Sequence, residues 1–372
     1  MEKLTDICNI QYGYAFDSGC FTEKCSYPPL IRIRDVKRGF SETYYSGEYS
    51  KEYVVHAGDL LIGMDGEFNI ARWKSIDGLL NQRVCKLTAK EGTDEEYLRF
   101  ALVKALKIIE NKTVFVTVKH LSAKELNKLE LDLPCIEKQS LRAKILTKLE
   151  RIIWYRENEL RELDNLIRAR FVEMFGDPVS DSKNWGQVPL KEHLESIRYG
   201  ISTPPIFTDD GYAFIRATNI KNGKIVVNDM KYIPQEEADR LEKCKLSGGE
   251  IIIVRSGVNA GDTCVVTDEY IGQYAGYDMI LVLNNNLHPV FFNTLINTEY
   301  MDKIVKPLTR RAAQPHLNSE QTQGLPIIQV PFELQEQFAD FVKQVDKSKV
   351  KVQKALDETQ KLFDSLMQQY FG

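Results

Sequence analysis

The chain repeats itself, and an ordered internal duplication constrains its fold more than any single motif does. Residues 30–39 (LIRIRDVKRG) lie over 214–223 (FIRATNIKNG), pairing Ile31 with Ile215, Arg32 with Arg216, Val36 with Ile220, Lys37 with Lys221 and Gly39 with Gly223. Residues 57–66 (AGDLLIGMDG) lie over 248–257 (GGEIIIVRSG): an acidic residue, an apolar strand and a closing glycine. Tyr12-Gly13 matches Tyr199-Gly200, and His120-Leu121 ahead of Pro134 matches His316-Leu317 ahead of Pro331. Both prolines open long charged and apolar stretches, which end in LDNLIRARFVEMFG (163–176) and LFDSLMQQYFG (362–372). Chance similarity does not keep five blocks in order, so two copies of one unit are expected.

Each copy changes character along its length. The first part, residues 1–133 or 187–331, consists of short apolar runs broken by Gly, Asn and Asp. IRI, YVV, LLIG, IIIVRSG and MILVLN have the length and branching of strands. One helical stretch interrupts each part, EEYLRFALVKALKIIE (95–110) and VFFNTLINTEYMDKIV (290–305), which makes each a mixed α/β module. The second part, residues 134–176 or 332–372, changes to a spacing of three or four. Ile145, Leu149, Ile152, Arg156, Leu160, Leu163, Ile167 and Phe171 mark one seam. Phe338, Phe341, Val345, Ser348, Val352, Ala355, Thr359, Phe363, Leu366 and Tyr370 mark the other. Each stretch is long for a globular helix, and its seam is too narrow for burial on all sides, which favours a coiled coil. Residues 177–186 read as a linker.

The two long helices are expected to pair with each other. The first carries the chain from module one to module two, and the second returns from module two. Antiparallel pairing brings residue 372 back beside the first module. The expected fold class is α/β: two similar mixed α/β domains joined by a long antiparallel two-helix coiled coil, with an internal pseudo-two-fold repeat.

Composition excludes classes without selecting one. The 372 residues hold 49 Lys and Arg against 53 Asp and Glu, a formal net charge of −4. A small, wholly basic DNA-coating protein is excluded, whereas a local basic surface is not. No run approaches 18 apolar residues, so no membrane partner is expected. The start, MEKLTDICN, lacks the order of a secretory signal, and seven Cys without regular spacing read as free thiols of a cytoplasmic protein.

Enzyme constellations are absent too. No G-x-x-x-x-G-K-[ST] loop occurs, and Gly257-Val258-Asn259-Ala260-Gly261 reads as a turn. Cys20 and Cys25 have no second ligand pair at zinc spacing. His120 and His316 read as loop-ordering residues. There is no N-P-P-Y or D-P-P-Y, the tetrapeptides of base-amino methyltransferases, and no trustworthy P-D…(D/E)-x-K nuclease pattern. The chain is expected to catalyse nothing and to hold no metal or cofactor itself.

Binding to nucleic acid is better supported. Module one concentrates Tyr12, Tyr14, Arg32, Arg34, Lys37, Arg38, Tyr44 and Tyr45. Module two concentrates Arg198, Tyr199, Arg216, Lys221, Lys224 and Arg255, with the doublet Arg310-Arg311. Arg and Lys suit phosphates and guanine edges, while Asn and Gln suit adenine. Gln82, Arg83, Asn219, Asn259 and Gln314 are the candidate readers.

In these features the sequence resembles the specificity (S) subunits of type I restriction-modification systems, and the resemblance covers the whole chain. It rests on the duplicated module followed by a long helix, and on Ala57-Gly58-Asp59-Leu60-Leu61 with its repeat Gly248-Gly249-Glu250-Ile251-Ile252. It rests also on Ala312-Ala313-Gln314-Pro315-His316-Leu317 and on the module exits, Leu133-Pro134 with Glu137-Lys138-Gln139 and Val330-Pro331 with Leu334-Gln335-Glu336-Gln337. Phe171-Val172-Glu173-Met174-Phe175-Gly176-Asp177-Pro178 closes the central helix in the family's manner.

The resemblance implies a non-catalytic subunit whose modules are target recognition domains, each reading half of a bipartite double-stranded DNA sequence. It implies that the helices dock two adenine methyltransferase (M) subunits, which bind S-adenosylmethionine. Restriction (R) subunits, using ATP and Mg, would join through M. The same chain would also serve a related bipartite modification system without an ATP-driven motor. Two departures stand out. Module one begins close to Tyr12-Gly13, so its first strand is expected to be short or supplied differently. Its loop Phe115-Val116-Thr117-Val118-Lys119-His120-Leu121 lacks the Gln, which makes that loop a poor candidate for base reading.

Overall fold

Short β-branched runs separated by glycine turns form small antiparallel sheets when one face of each can be covered. A computed structural model, describing residues 1–112, 119–201, 203–309 and 315–372, has two four-stranded sheets of this kind. The chain forms two compact units, one of residues 1–157 with 354–372 and one of residues 158–353.

In the first unit, β1 (Cys8–Tyr12), β2 (Leu60–Gly63), β3 (Ile70–Arg72) and β4 (Val84–Ala89) make an antiparallel sheet in the order β1-β4-β2-β3. Helix α1 (Glu95–Lys112) places Leu98, Ala101, Leu102 and Leu106 against Leu60, Ile62, Cys85 and Leu87, all buried. A smaller sheet pairs Leu30–Ile31 in parallel with Gly78–Leu80. From this unit the chain enters α2 (Ile136–Phe175).

The second unit repeats that plan. Strands β5 (Leu194–Tyr199), β6 (Ile251–Ile253), β7 (Thr263–Val265) and β8 (Met279–Leu283) run in the order β5-β8-β6-β7. Register repeats as well, with Met279 opposite Tyr199 as Cys85 is opposite Tyr12. Tyr212–Ile215 is parallel to Tyr274–Ala275, the counterpart of the small sheet in the first unit. The strand expected to be short in module one is Glu2–Lys3, on Glu130–Leu131; its counterpart, Gln187–Pro189 on Pro326–Ile328, is one residue longer.

Two local expectations are corrected. The run around IRI is a strand only at Leu30–Ile31 and then turns helical over Ile33–Arg38, because Asp35 accepts the Arg32 N–H at 3.0 Å and starts a helical turn. The stretch 290–305 is not one helix. Helix α3 (Pro289–Ile296) stops where Asn297 donates to the Asn293 carbonyl and Thr298 Oγ1 to the Leu295 carbonyl, at 2.8 and 2.7 Å. Those side chains compete with the helical ladder, and a π-turn over Met301–Val305 follows.

α2 and α4 (Phe332–Phe371) are 40 residues each and pack antiparallel within both units. In the first unit the Arg142 guanidinium lies 4.8 Å from the Tyr370 ring centre, and Leu146 packs with Phe100 and Met367. In the second, Asp164 pairs with Lys349, and Phe171 and Phe175 meet Phe338 at 5.5 Å. Of the seam residues, Ile167, Phe171, Phe338, Val345 and Val352 are buried, while Ile145, Leu149, Ile152, Leu160, Leu163, Phe363 and Leu366 are half-buried. Ser348 is exposed, and its neighbour Lys349 takes the buried position with its ammonium on Asp164.

One residue type fixes how each long helix leaves its module. The fully buried Gln139 accepts the Asp94 N–H at 2.9 Å and donates to the carbonyls of Gly92 and Pro134 at 3.0 and 2.7 Å. Gln335 does the same, accepting from His288 N–H at 2.8 Å and donating to Asn286 and Val330 at 3.2 and 2.8 Å. Gln335→Leu strands one donor and two acceptors, so the second unit should lose about 1–3 kcal/mol in urea unfolding. Phe171→Ala removes a ring packed by Phe175, Phe291 and Phe338 and should cost about 3–5 kcal/mol in the same measurement.

Candidate nucleic-acid interface

A few of the sequence-predicted residues, Lys37 and Arg83 in module one and Tyr199 and Arg255 in module two, lie at one rim of their module, where the strand β2 or β6 runs into its glycine turn. Three backbone contacts build this rim identically. Leu121 N–H donates to Met64 O at 2.7 Å, and Leu317 N–H to Arg255 O at 2.8 Å. Gly66 N–H donates to Lys119 O at 2.9 Å, and Gly257 N–H to Pro315 O at 3.1 Å. Asp65 bridges to His120 as Ser256 bridges to His316. Both histidines order this rim: His120 Nδ1 is bonded to Asp65, and His316 Nδ1 lies 2.9 Å from Ser256 Oγ. The Tyr-Gly repeat belongs to the same construction. A Cβ on Gly13 would meet the Asn81 carbonyl at 2.1 Å, and one on Gly200 would meet Tyr277 N at 2.7 Å.

In module one several candidates are engaged by the protein itself. Tyr12 donates to Asn127 Oδ1 at 2.7 Å, and burial pushes its phenol up to about 12. Arg83 lies 3.3 Å from the His120 ring and 3.5 Å from Asp65, while Lys37 lies 3.5 Å from Glu67, all on the rim. Arg34 reaches Thr43 Oγ1 at 3.2 Å, and Arg38 reaches Glu42 at 3.6 Å. Tyr14 is exposed beside Tyr53 and Phe16, with ring centres 5.2 Å away. Arg32 and Gln82 are exposed. Tyr44 is half-buried and Tyr45 is buried in the core.

In module two the division is sharper. Arg198 forks onto Glu250 with both distances 2.7 Å and caps the Lys243 and Lys245 carbonyls, so its donors serve the fold. Arg216 holds Asp229 at 2.9 Å. Asn219 is fully buried; it accepts the Arg216 N–H at 3.2 Å and donates to Val226 and Asn228, so no base can reach its amide. Lys224 turns to Asp346 of α4 at 3.3 Å. Lys221 is exposed, and Asn259 lies 3.4 Å from the Ala217 carbonyl, which joins the glycine turn to the Arg216 loop. Tyr199, 43% exposed, has the Arg255 guanidinium 5.0 Å from its ring centre. Arg310, Arg311 and Gln314 lie outside the described residues.

One buried acid beside the rim escaped the sequence reading. Asp278 is 2% exposed, accepts the Arg255 N–H on Oδ1 at 3.2 Å, and is pushed up to about 7 by burial. Its signal was the duplication itself, since by strand register Asp278 and Arg255 occupy the places of Val84 and Met64, both buried apolar residues. Val258, 94% exposed at the tip of the adjoining turn, was also missed. Among the described residues, no group of three His, Cys, Asp or Glu could hold a metal, and no helix is long and apolar enough to cross a membrane.

Each unit thus carries one copy of the α/β module with its rim, joined to a stretch of the antiparallel helix pair. The family model for the type I restriction modification DNA specificity domain matches residues 1–165 and 183–359, and the chain belongs to that family. It is a specificity subunit and not itself a methyltransferase or nuclease. The chain is 26% identical over 406 residues to the specificity subunit of type I restriction enzyme EcoBI from Escherichia coli, covering 99% of this chain and 84% of that one. It is 21% identical over 340 residues to the MjaVIII specificity subunit of Methanocaldococcus jannaschii, covering 86% and 79%. The fold is similar to that of the type I restriction-modification S subunit from M. genitalium, with a TM-score of 0.62, 15% identity and coverage of 100% and 95%.

The buried Asp278 has a measurable signature. Its folded-state value of about 7 lies above the ordinary 3.8, so the folded chain holds this proton more tightly than the unfolded chain. Stability from this group is greatest at low pH, falls as pH rises from about 4 to about 7, and is level above. Thermal unfolding of wild type and Asp278→Asn should therefore diverge over that window, the wild type losing relative to the variant as pH rises.

Proposed function

We propose that each module reads one half of a bipartite double-stranded DNA target through its glycine-turn rim. The observation that carries this reading is the rim's duplication, bond for bond, with different side chains displayed on it. Asp65 and Glu67 stand in module one where module two has Ser256 and Val258, and the buried Met64 stands where module two has the half-buried Arg255. Two scaffolds with one backbone plan and two displays suit two half-sequences. Tyr14, Arg32, Gln82 and Arg83 in module one, and Tyr199, Lys221, Arg255 and Asn259 in module two, are the described candidates for DNA contact. Arg310, Arg311 and Gln314 remain candidates by sequence.

The long helices would dock two adenine methyltransferase subunits. Leu141, Trp154 and Tyr155 in the first unit and Leu166 and Val172 in the second are exposed apolar side chains of α2, of the kind that subunits bury. S-adenosylmethionine would sit on those methyltransferase subunits, and ATP and Mg on restriction subunits joined through them; this chain supplies the address. A system lacking the restriction motor would use the same surfaces, and the subunits that co-purify distinguish the two.

Methylome sequencing of a host with and without the gene and its methyltransferase partner reads the target directly, and a two-part methylated motif should appear only with the gene. Replacing residues 187–331 with the equivalent module of a relative should change one half of that motif and leave the other intact. A change in both halves would refute the assignment of one reader per module.

A further inference from the structure

We infer that Arg255 is the guanine-reading side chain of module two and that Asp278 is the residue that positions it; this rests on the proposal that module two reads DNA. A base reader differs from a phosphate contact in needing a fixed side chain, because only a held guanidinium fork can match the O6 and N7 of guanine. Arg255 is held at three points. Its N–H donates to Asp278 Oδ1 at 3.2 Å, its carbonyl accepts from Leu317 N–H at 2.8 Å, and its guanidinium lies 5.0 Å from the Tyr199 ring centre. That ring is itself fixed, since its hydroxyl accepts the Ser319 N–H at 3.2 Å.

The guanidinium fork is left available. Among the described residues no carboxylate lies within ion-pair distance of Arg255, whereas Arg198 and Arg216 are both paired. The carboxylate beneath it is otherwise unexplained. Asp278 Oδ2 is buried with no hydrogen-bond partner among the described residues. Module one builds the same sheet with Val84 in that place and Met64 in the place of Arg255, so the fold does not require the acid–arginine pair. The two polar residues occur together where the two apolar ones do in the other copy. That concurrence points to a function of module two alone.

The test uses the complex of the full chain with its methyltransferase subunits. Methylome sequencing of the wild type first gives the motif. If no two-part motif appears, the reading of the modules fails and this inference fails with it. With a motif in hand, Arg255→Gln should relax or switch to A·T a single G·C position in one half, leaving the other half unchanged. Purified complexes are then titrated with the target duplex and with duplexes carrying one substituted base pair each. The wild type should lose about 10-fold in affinity at that G·C pair, and Arg255→Ala should no longer distinguish it.

Equal weakening on every duplex would make Arg255 a phosphate contact and overturn its role as reader. So would an unchanged motif in Arg255→Gln. For Asp278, the Asn variant keeps an acceptor for the Arg255 N–H and should keep discrimination at that pair. Asp278→Val, which copies module one, should lose discrimination there while retaining affinity for non-specific duplex. A purely structural role would lower both together. Discrimination retained in Asp278→Val, or lost equally in Asp278→Asn, would overturn the positioning role.

Discussion

The arrangement depends first on a glutamine. Gln139 and Gln335 each bury one primary amide at the start of a long helix and use it to tie that helix to two loops of the preceding module. Loops packed against a helix start bury backbone donors and acceptors that no helix or sheet ladder satisfies, which is costly unless something completes them. An amide serves this purpose because it accepts and donates at once. The direction in which each helix departs is therefore set by hydrogen bonds, and the aromatic packing of Phe171, Phe175 and Phe338 then fills space around a fixed axis.

Much of this organisation was legible in the sequence because it is periodic. The spacing of apolar residues in the long helices and the matched Tyr-Gly, strand-Gly and His-Leu blocks report backbone plan, which the two copies share. Individual side-chain roles were less legible. Arg198 and Arg216 look like DNA contacts and Asn219 like a reader by residue type, yet their partners, Glu250, Asp229 and the Val226 carbonyl, are reached only after the chain folds. The break after α3 was hidden for a similar reason. Asn297 and Thr298 interrupt a helical pattern through local hydrogen bonds that a hydrophobic period does not register. Asp278 could have been found by aligning the copies through their strands and asking why Val84 had become an acid.

The two rims share a skeleton but not an electrostatic character. In module one Asp65 and Glu67 sit beside the cations of Arg83 and Lys37, so positive charge there is largely answered by neighbouring carboxylates. In module two the same places hold Ser256 and Val258, and Arg255 stands over a ring. Paired cations of this kind contribute little to long-range attraction. The copies thus differ in how strongly each draws a polyanion, although their backbones are alike.

The rim's construction separates inheritance from innovation. Its shape is held by main-chain bonds, Leu121 to Met64 and Gly66 to Lys119 in one copy, Leu317 to Arg255 and Gly257 to Pro315 in the other. None of those bonds depends on which side chain the rim displays. A methionine in one copy and an arginine in the other occupy the same place on the same scaffold. On such a frame single substitutions change what the rim presents, while the main-chain bonds that hold it stay as they are.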